Sequence, residues 1–378
     1  MNVDVVVVGA GPVGLAAGAA LRQHGHTVLV VDKLAEGANT SRAAVVHART
    51  LEVLEQLGVT ERLVAAGHSV QDFAVREGDR VLVPVSLRRL LTAYTFALMI
   101  PQSTTERILL ERLVELGGEV RRPCAAMGLT QTGESAAVTL DTGEVITARY
   151  VVAADGMRST IRELSGLTMP GNVLPLSASL VDVRVDGGLP TDEVGLYLAK
   201  AGLLLVAPLP DGIFRLVAEV PDAPEHPDLA AAQRMLTERG PESNPPTVTE
   251  VIWGSRFRIH ERVADSYQAG RVLLAGDAAH THSPAGGQGM NLGLRDAVAV
   301  ANALHTALTT SDETELDQYG ATARAEAVRV IALSHRLTTM ASAPQFVRPL
   351  RNVVLRLVGG SESVTDGFGR QLAGLAEG

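Results

Sequence analysis

The pattern of apolar residues predicts an α/β fold in which a parallel-sheet domain is interrupted by a separate sheet and followed by C-terminal helices. Three observations point to it. A β-branched run, Val3–Val8, leads through a glycine-marked turn into an Ala/Leu-rich stretch. From Leu174 to about Ile259 the signal is mostly strand, broken by Pro/Asp-rich loops. Beyond Gly289 the pattern is helical throughout.

Each element has its own reason. Val3–Val8 reads as a buried parallel strand, because a strand covered on both faces is a continuous apolar run. Leu15–His24 is the first helix, and Thr27–Val31 is a second apolar strand ending at Asp32. A polar loop, Lys33–Ser41, precedes a helix that stops at Gly58, and another helix covers Thr60–Ala66. Val70–Arg76, Arg80–Val85 and Tyr94–Ile100 alternate or run apolar as strands do. A helix opens at Gln102, where Ser103 and Glu106 have capping-box spacing, and closes at Gly117-Gly118. Val120–Arg122, Ala136–Leu140, Val145–Ala148 and Tyr150–Ala154 are strands, the last ended by Asp155-Gly156. One helix, Leu229–Arg239, interrupts the strand-rich section, and Arg271–Leu274 returns to buried strand. Ala341–Gly378 alternates apolar and arginine positions like a packed amphipathic helix pair.

Composition narrows the function classes. The 378 residues are 46% hydrophobic and 20% charged, enough for a large core in one threaded unit or two domains. A net charge of −9 without a dense Lys/Arg cluster lacks the footprint of nucleic-acid binding and of attraction to anionic membranes. No apolar stretch reaches the ~18 residues of a membrane span. The only cysteine, Cys124, excludes an internal disulfide and a thiolate metal cluster, and suits a reducing cytoplasm. Met1 is followed almost at once by the first strand, leaving no room for a cleavable leader. His280 and His282 stand close to Asp277, but no further ligand of sensible spacing joins them, so no metal is expected.

Gly9-Ala-Gly-Pro-Val-Gly14 sits where a dinucleotide site needs it, between a strand and a helix. Gly9 allows the tight turn, Gly11 the approach of a pyrophosphate, and Gly14 close packing of helix on strand. The phosphates would meet the N–H groups of the helix N-terminus. Asp32, at the end of the second strand, has the offset of an acid that accepts ribose hydroxyls. This is a Rossmann-like unit.

Several further segments carry a family resemblance: Ser41-Arg-Ala-Ala-Val-Val-His-Ala-Arg-Thr50, Ile100-Pro-Gln-Ser-Thr-Thr-Glu106, Ala154-Asp-Gly-Met-Arg-Ser159, and Ala275-Gly-Asp-Ala-Ala-His-Thr-His-Ser-Pro-Ala-Gly-Gly-Gln-Gly-Met-Asn291. With the first glycine motif they make the sequence similar to the class A flavoprotein aromatic monooxygenases of the para-hydroxybenzoate hydroxylase fold, including hydroxylases of aromatic polyketides. The resemblance implies a discontinuous FAD-binding domain over residues 1–70, 101–172 and 265–340, a substrate-binding sheet domain over 71–100 and 173–264, and a helical segment over 341–378. It places FAD on Gly9, Gly11, Pro12, Val13, Gly14, Asp32 and Lys33, with Arg42 near the pyrophosphate and ring edge and Gln102 near the ribityl chain. Asp155 and Gly156 match a motif tied to the pyrophosphate region and NADPH; an ordinary strand-ending turn is the other reading for Asp155. Arg158 fits a nicotinamide phosphate contact and a surface helix position equally.

The Gly276-Asp277 motif would put the Asp277 carboxylate on the ribityl chain, whose buried hydroxyls need acceptors. Pro284, Gly286, Gly287, Gly289, Met290 and Asn291 would wrap the isoalloxazine edge. The helix that follows would aim its N-terminus, with about half a unit of positive charge, at the ring position where the reduced anion concentrates charge.

What the resemblance implies for chemistry is hydroxylation of an aromatic, phenolic substrate through a flavin C4a-hydroperoxide, with NADPH or NADH as reductant and O2 as oxidant. The protein's part is positioning and exclusion of water, and no catalytic acid or base is assigned. Tyr94, Phe96 and Phe214 are the pocket candidates by location, although filling core is the commoner role for any one aromatic. Baeyer–Villiger insertion, epoxidation, and a non-oxygenating flavin reductase or scaffold are the competing readings. Larger family members add a thioredoxin-like domain without counterpart here, and the oligomeric state stays open.

Overall fold

The computed structural model describes residues 2–37, 43–220, 223–341 and 347–375. The chain begins β1 (Asn2–Val8), α1 (Pro12–Gln23), β2 (Val28–Val31), β3 (Val45–Val46), α2 (Ala48–Glu55) and α3 (Thr60–Ala66). It continues β4 (His68–Val70), β5 (Asp72–Glu77), β6 (Arg80–Ser86), β7 (Ala97–Met99), α4 (Gln102–Glu115), β8 (Glu119–Arg121), β9 (Ala126–Gln131), β10 (Ala136–Leu140), β11 (Val145–Ala153) and α5 (Thr160–Leu164). Next come β12 (Gly171–Asp186), β13 (Glu193–Ala199), β14 (Gly202–Pro208), β15 (Phe214–Glu219), α6 (Leu229–Arg239) and β16 (Thr247–Val263). The chain ends β17 (Gln268–Ala269), β18 (Val272–Leu274), β19 (His280–Thr281), α7 (Gln288–Thr310), α8 (Thr314–Ala341), α9 (Arg348–Gly359) and α10 (Glu362–Leu372).

The first sheet runs β17-β18-β11-β1-β2-β8, with β10 and β9 attached to β11. β1 pairs in parallel with β2 and β11, so residues distant in sequence flank it: Val8 stands between Val31 and Ala153. Val5, Val6 and Val7 are fully buried, as a strand covered on both faces must be. Helices α1, α4 and α7 supply apolar cover, and α7 contributes Leu292, Leu294, Val300 and Leu304 to the same core. Val145–Ala148 and Tyr150–Ala154, read from sequence as two strands, are one: β11 crosses Arg149 without a break because that side chain turns outward to the Leu308 carbonyl.

The second sheet, β19-β16-β12-β15-β14-β13-β5-β6, is antiparallel except where β5 joins β13. Its two faces differ, as alternation along each strand requires. Val181, Leu204, Val206, Phe214 and Leu216 pack under α6 against Met235 and Leu236. The opposite face turns to β3 and β7, which form a small third sheet with β4, and to α8–α10: Ala207 and Leu205 cluster with Ala44, Val45 and Met99, while Leu196, Leu198 and Leu203 cluster with Met340, Leu355 and Leu372. Arg215 pairs in register with Ala207 and so lies on this inner face, bound through two nitrogens to Asp182 at 2.7 and 2.8 Å.

One further local expectation changes, and one open choice is settled. Ser103 does not cap α4, whose N-cap is Pro101; Ser103 sits inside the first turn, and Glu106 instead accepts from Gln102 Nε2. Phe214, a candidate for pocket or core, belongs with Tyr197 to the cluster beneath α6, because its strand position puts it on the α6 face of the sheet. The C-terminal helix pair is present as α9 and α10.

Candidate functional site

The motifs gather where the parallel strands end. At the β1–α1 turn, a Cβ on Gly14 would lie 1.8 Å from the Gly9 carbonyl oxygen, and one on Gly9 (φ +104°) would lie 2.2 Å from that of Ala154. Only glycine fits either position. Gly11 differs, since a Cβ there would meet nothing within 4 Å. It is the N-cap of α1, with no side-chain cap and Pro12 following, so first-turn N–H groups face open space. That geometry fits an anion such as a pyrophosphate.

Asp32 is engaged in holding this turn. Its Oδ2 accepts from the Ala10 N–H at 2.6 Å and its Oδ1 from Leu34 N–H at 2.8 Å, which leaves lone pairs for a further donor. Arg122 donates to the Ala10 carbonyl at 2.5 Å from the other side. Lys33 is exposed. Gln102 receives the Ala43 N–H on Oε1 at 3.3 Å and donates to Glu106 at 2.8 Å. Burial pushes the Glu106 carboxyl up, with Gln102 and Arg122 opposing. Arg42 lies outside the described residues.

Asp155 accepts the Ile161 N–H at 3.2 Å, which ties it to the start of α5; burial pushes its carboxyl up. Arg158 is exposed. Arg162, almost fully buried, donates to the Met157 carbonyl at 3.1 Å and the Ala278 carbonyl at 2.9 Å, joining the Asp155-Gly156 and Gly276-Asp277 segments. Val13 packs between Gly276 and Gly293: a Cβ on either glycine would fall within 2.8 Å of its methyl group. Gly276 is buried and Asp277 exposed on a single 3-10 turn, Gly276–Ala278.

The loop ahead of α7 is clamped from several sides. Gly287, in the left-handed region at φ +63°, is the N-cap of α7 and again lacks a side-chain cap. His47 Nε2 donates to the Gly286 carbonyl at 2.9 Å, and Ser334 Oγ donates to that of Ala285 at 3.3 Å. Asn291 donates to the Gly287 and Val45 carbonyls at 2.8 and 2.9 Å and accepts the His47 N–H at 2.8 Å. Asn291 thus orients the loop with its whole amide. Pro284 is exposed, Met290 is buried, and Gly289 lies against the His282 ring. Desolvation holds His47 and His282 down at about 4, so both are neutral near pH 7.

Two uncapped helix N-termini, open space at Gly11 and a glycine loop fixed at three carbonyls suit an extended anionic cofactor with a flat ring. Residues 2–334 match the FAD-binding domain family. The chain belongs to that family. Its cofactor is FAD. The chain is 38% identical over 304 residues, 78% of its length and 62% of the relative's, to a rifampicin monooxygenase of Streptomyces venezuelae. Curated relatives of this kind are longer, and the matched stretch spans 62–64% of them. An anhydrotetracycline hydroxylase from Streptomyces rimosus superposes with a TM-score of 0.83 at 31% identity, covering 100% of this chain and 77% of that one. A Diels–Alderase of pyrroindomycin biosynthesis superposes at 0.82 with 29% identity, covering 99% and 80%.

His47, Glu106, Arg122, Arg162 and Asp296, whose carboxylate accepts the Gly276 N–H at 3.0 Å, were not assigned to the site from sequence. His47 and Glu106 stood inside quoted motifs without a cofactor role; Arg122, Arg162 and Asp296 act through contacts between distant segments. Tyr94 and Phe96 meet edge to face at 5.9 Å, and the Tyr94 hydroxyl donates to Glu55 at 2.7 Å, which anchors both toward α2. Phe73, in β5, is the aromatic that packs where the inner-face clusters join. A polar cleft of about 470 Å³ lined by Arg149, Arg271 and Glu313 shares no residue with these motifs. Among the described residues, no helix is long and apolar enough to cross a membrane.

Proposed function

We propose that this chain is an FAD-dependent monooxygenase that hydroxylates an aromatic, phenolic compound of polycyclic, polyketide-like type, using NADPH or NADH and O2. The observation that carries the reading is the apposition of an aliphatic sheet face to the glycine loop. Leu205 shares a cluster with Val45, whose carbonyl is held by Asn291, and Leu198 shares one with Leu372, which lies against Gly286. Such a wall accepts a flat apolar ring system and excludes water. The activities of the rifampicin and anhydrotetracycline relatives support the same substrate class.

Activation of O2 is the chemistry FAD supplies when bound. The chain's residues hold and orient it. Gly9, Gly11, Pro12, Val13 and Gly14 present the α1 N-terminus to the pyrophosphate, and Asp32 and Lys33 serve the adenosine end. Asp277, carried by Gly276, and Gln102 would serve the ribityl chain, Asp155 and Gly156 the pyrophosphate region, and Arg42 the pyrophosphate and ring edge. Pro284, Gly286, Gly287, Gly289, Met290 and Asn291 bring the α7 N-terminus to the ring, where its partial positive charge favours a reduced, anionic cofactor. No side chain is assigned as catalytic acid or base. The reducing cytoplasm is the proposed setting, in keeping with a single buried cysteine.

A second reading for this chain, that it binds flavin without oxygenating, is favoured by its likeness to a Diels–Alderase. The test is NAD(P)H oxidation with O2 uptake by purified holoprotein across a panel of polycyclic phenols. A product heavier by one oxygen atom, labelled from 18O2 and carried as a new hydroxyl on an aromatic carbon, supports hydroxylation. Retained flavin with no O2 uptake on any phenol supports the second reading.

A further inference from the structure

Three helix ends meet beside the glycine loop. The carbonyls of the last turn of a helix have no intrahelical partner, and α10 ends in the interior, where such groups must be satisfied. The Leu372 carbonyl accepts from Gln288 Nε2 at 2.9 Å, and Gln288 is the first residue of α7 and is buried. The next carbonyl, of Ala373, accepts the N–H of Arg49 at 3.1 Å, in the first turn of α2. The Leu372 side chain lies over Gly286, with a methyl 3.7 Å from where a Cβ on that glycine would stand. Gly374 closes the turn at φ +74° against Arg49.

The same helix pair is fixed to the second sheet. A Cβ on Gly359 of α9 would lie 2.3 Å from the Leu82 carbonyl, and one on Gly369 of α10 would lie 3.4 Å from that of Ser86, both in β6. Leu372 and Leu355 pack with Val83 and Leu198. The last turn of α10 therefore touches the edge of the sheet on one side and the glycine loop on the other.

We propose that the turn Leu372–Gly374 positions the cofactor loop Pro284–Gly287 through Gln288, so that the flavin's seat is set jointly by α7 and by the edge of the substrate-side sheet. Gln288 is a positioning residue in this role, with its side chain committed to Leu372. The inference rests on FAD being bound at this loop.

The experiment compares wild type with Gln288→Met, which removes the donor at similar length, and Gly374→Ala, which strains the turn without touching the loop. Val364→Ser, on the exposed face of α10, is the control. Apoprotein is titrated with FAD, and at saturation the visible spectrum and reduction midpoint of the bound flavin are recorded well below the melting temperature. Both test variants should bind FAD about tenfold more weakly, the worth of one buried hydrogen bond. Their saturated spectra and midpoints should be displaced, with the control unchanged. If both merely melt earlier while their saturated spectra and midpoints match wild type, the turn is structural only and the proposal is overturned. A wild type that takes up no FAD would overturn the cofactor reading as well, which separates the two failures.

Discussion

His280 and Asp296 form a buried pair, Nε2 to Oδ2 at 2.6 Å, and the same oxygen accepts the Gly276 N–H at 3.0 Å. Asp296, in α7, thereby fixes the segment that carries Asp277 to the helix whose N-terminus faces the glycine loop. The histidine that resembled a metal ligand in the sequence is part of this brace, with Tyr267 stacked beside it.

Asp296→Ala strands two buried donors, so it should lower stability by about 3 kcal/mol or more. Asp296→Asn, which keeps one acceptor, should cost less. Urea unfolding of the apoprotein measures both. Equal stability of the alanine variant and wild type would show that the pair braces nothing.

Gly11 and Gly14 stand three residues apart and should behave in opposite ways. Gly11→Val enters open space at an N-cap, so the fold should lose about 1 kcal/mol or less while FAD binding is abolished. Gly14→Ala drives a Cβ into the Gly9 carbonyl and should cost about 3 kcal/mol or more before any ligand is considered. Thermal melting of apoprotein with FAD titration distinguishes them. Normal FAD uptake by Gly11→Val would remove the pyrophosphate from this turn.

Acid should loosen the glycine loop. His47 and His282 are held at about 4 by desolvation, against about 6.5 in an unfolded chain. A histidine lowered on folding binds fewer protons in the native state, so stability is lost as pH falls through 6.5 and levels off below about 4. His47 alone accounts for on the order of 3 kcal/mol across that window. Stability measured from pH 7.5 to 4 should fall more steeply in wild type than in His47→Gln. Parallel profiles would mean that His47 is not a buried neutral base.

The Asp182–Arg215 pair tests the inner face of the second sheet. Both side chains are nearly buried, so Asp182→Ala leaves a guanidinium without its main partner and should destabilise by about 3–5 kcal/mol. Replacing both residues with apolar ones of similar volume should recover much of the loss. A single variant as stable as wild type would place the pair in solvent.

Much of this was legible in the sequence because the signals were local. Val3–Val8, Thr60–Ala66, Ala136–Leu140 and Leu229–Arg239 announce themselves by period and punctuation, and they form where expected. The glycine motif was readable because steric demand at Gly9 and Gly14 leaves no other residue type. What was not legible depends on contacts across the chain. Arg162 matters only because the Asp155 and Gly276 segments come together, and Gln288 only because α10 returns to the loop. The side of a strand is also set by register, so the sequence left Phe214 between pocket and core, and the sheet turns it toward α6.

The most direct test of the central claim is titration of folded, flavin-free protein with FAD, followed by tryptophan quenching and visible absorbance. Saturable one-to-one binding that disappears in Gly11→Val is the expected result. A natively folded wild-type protein that stays colourless at every FAD concentration would contradict it.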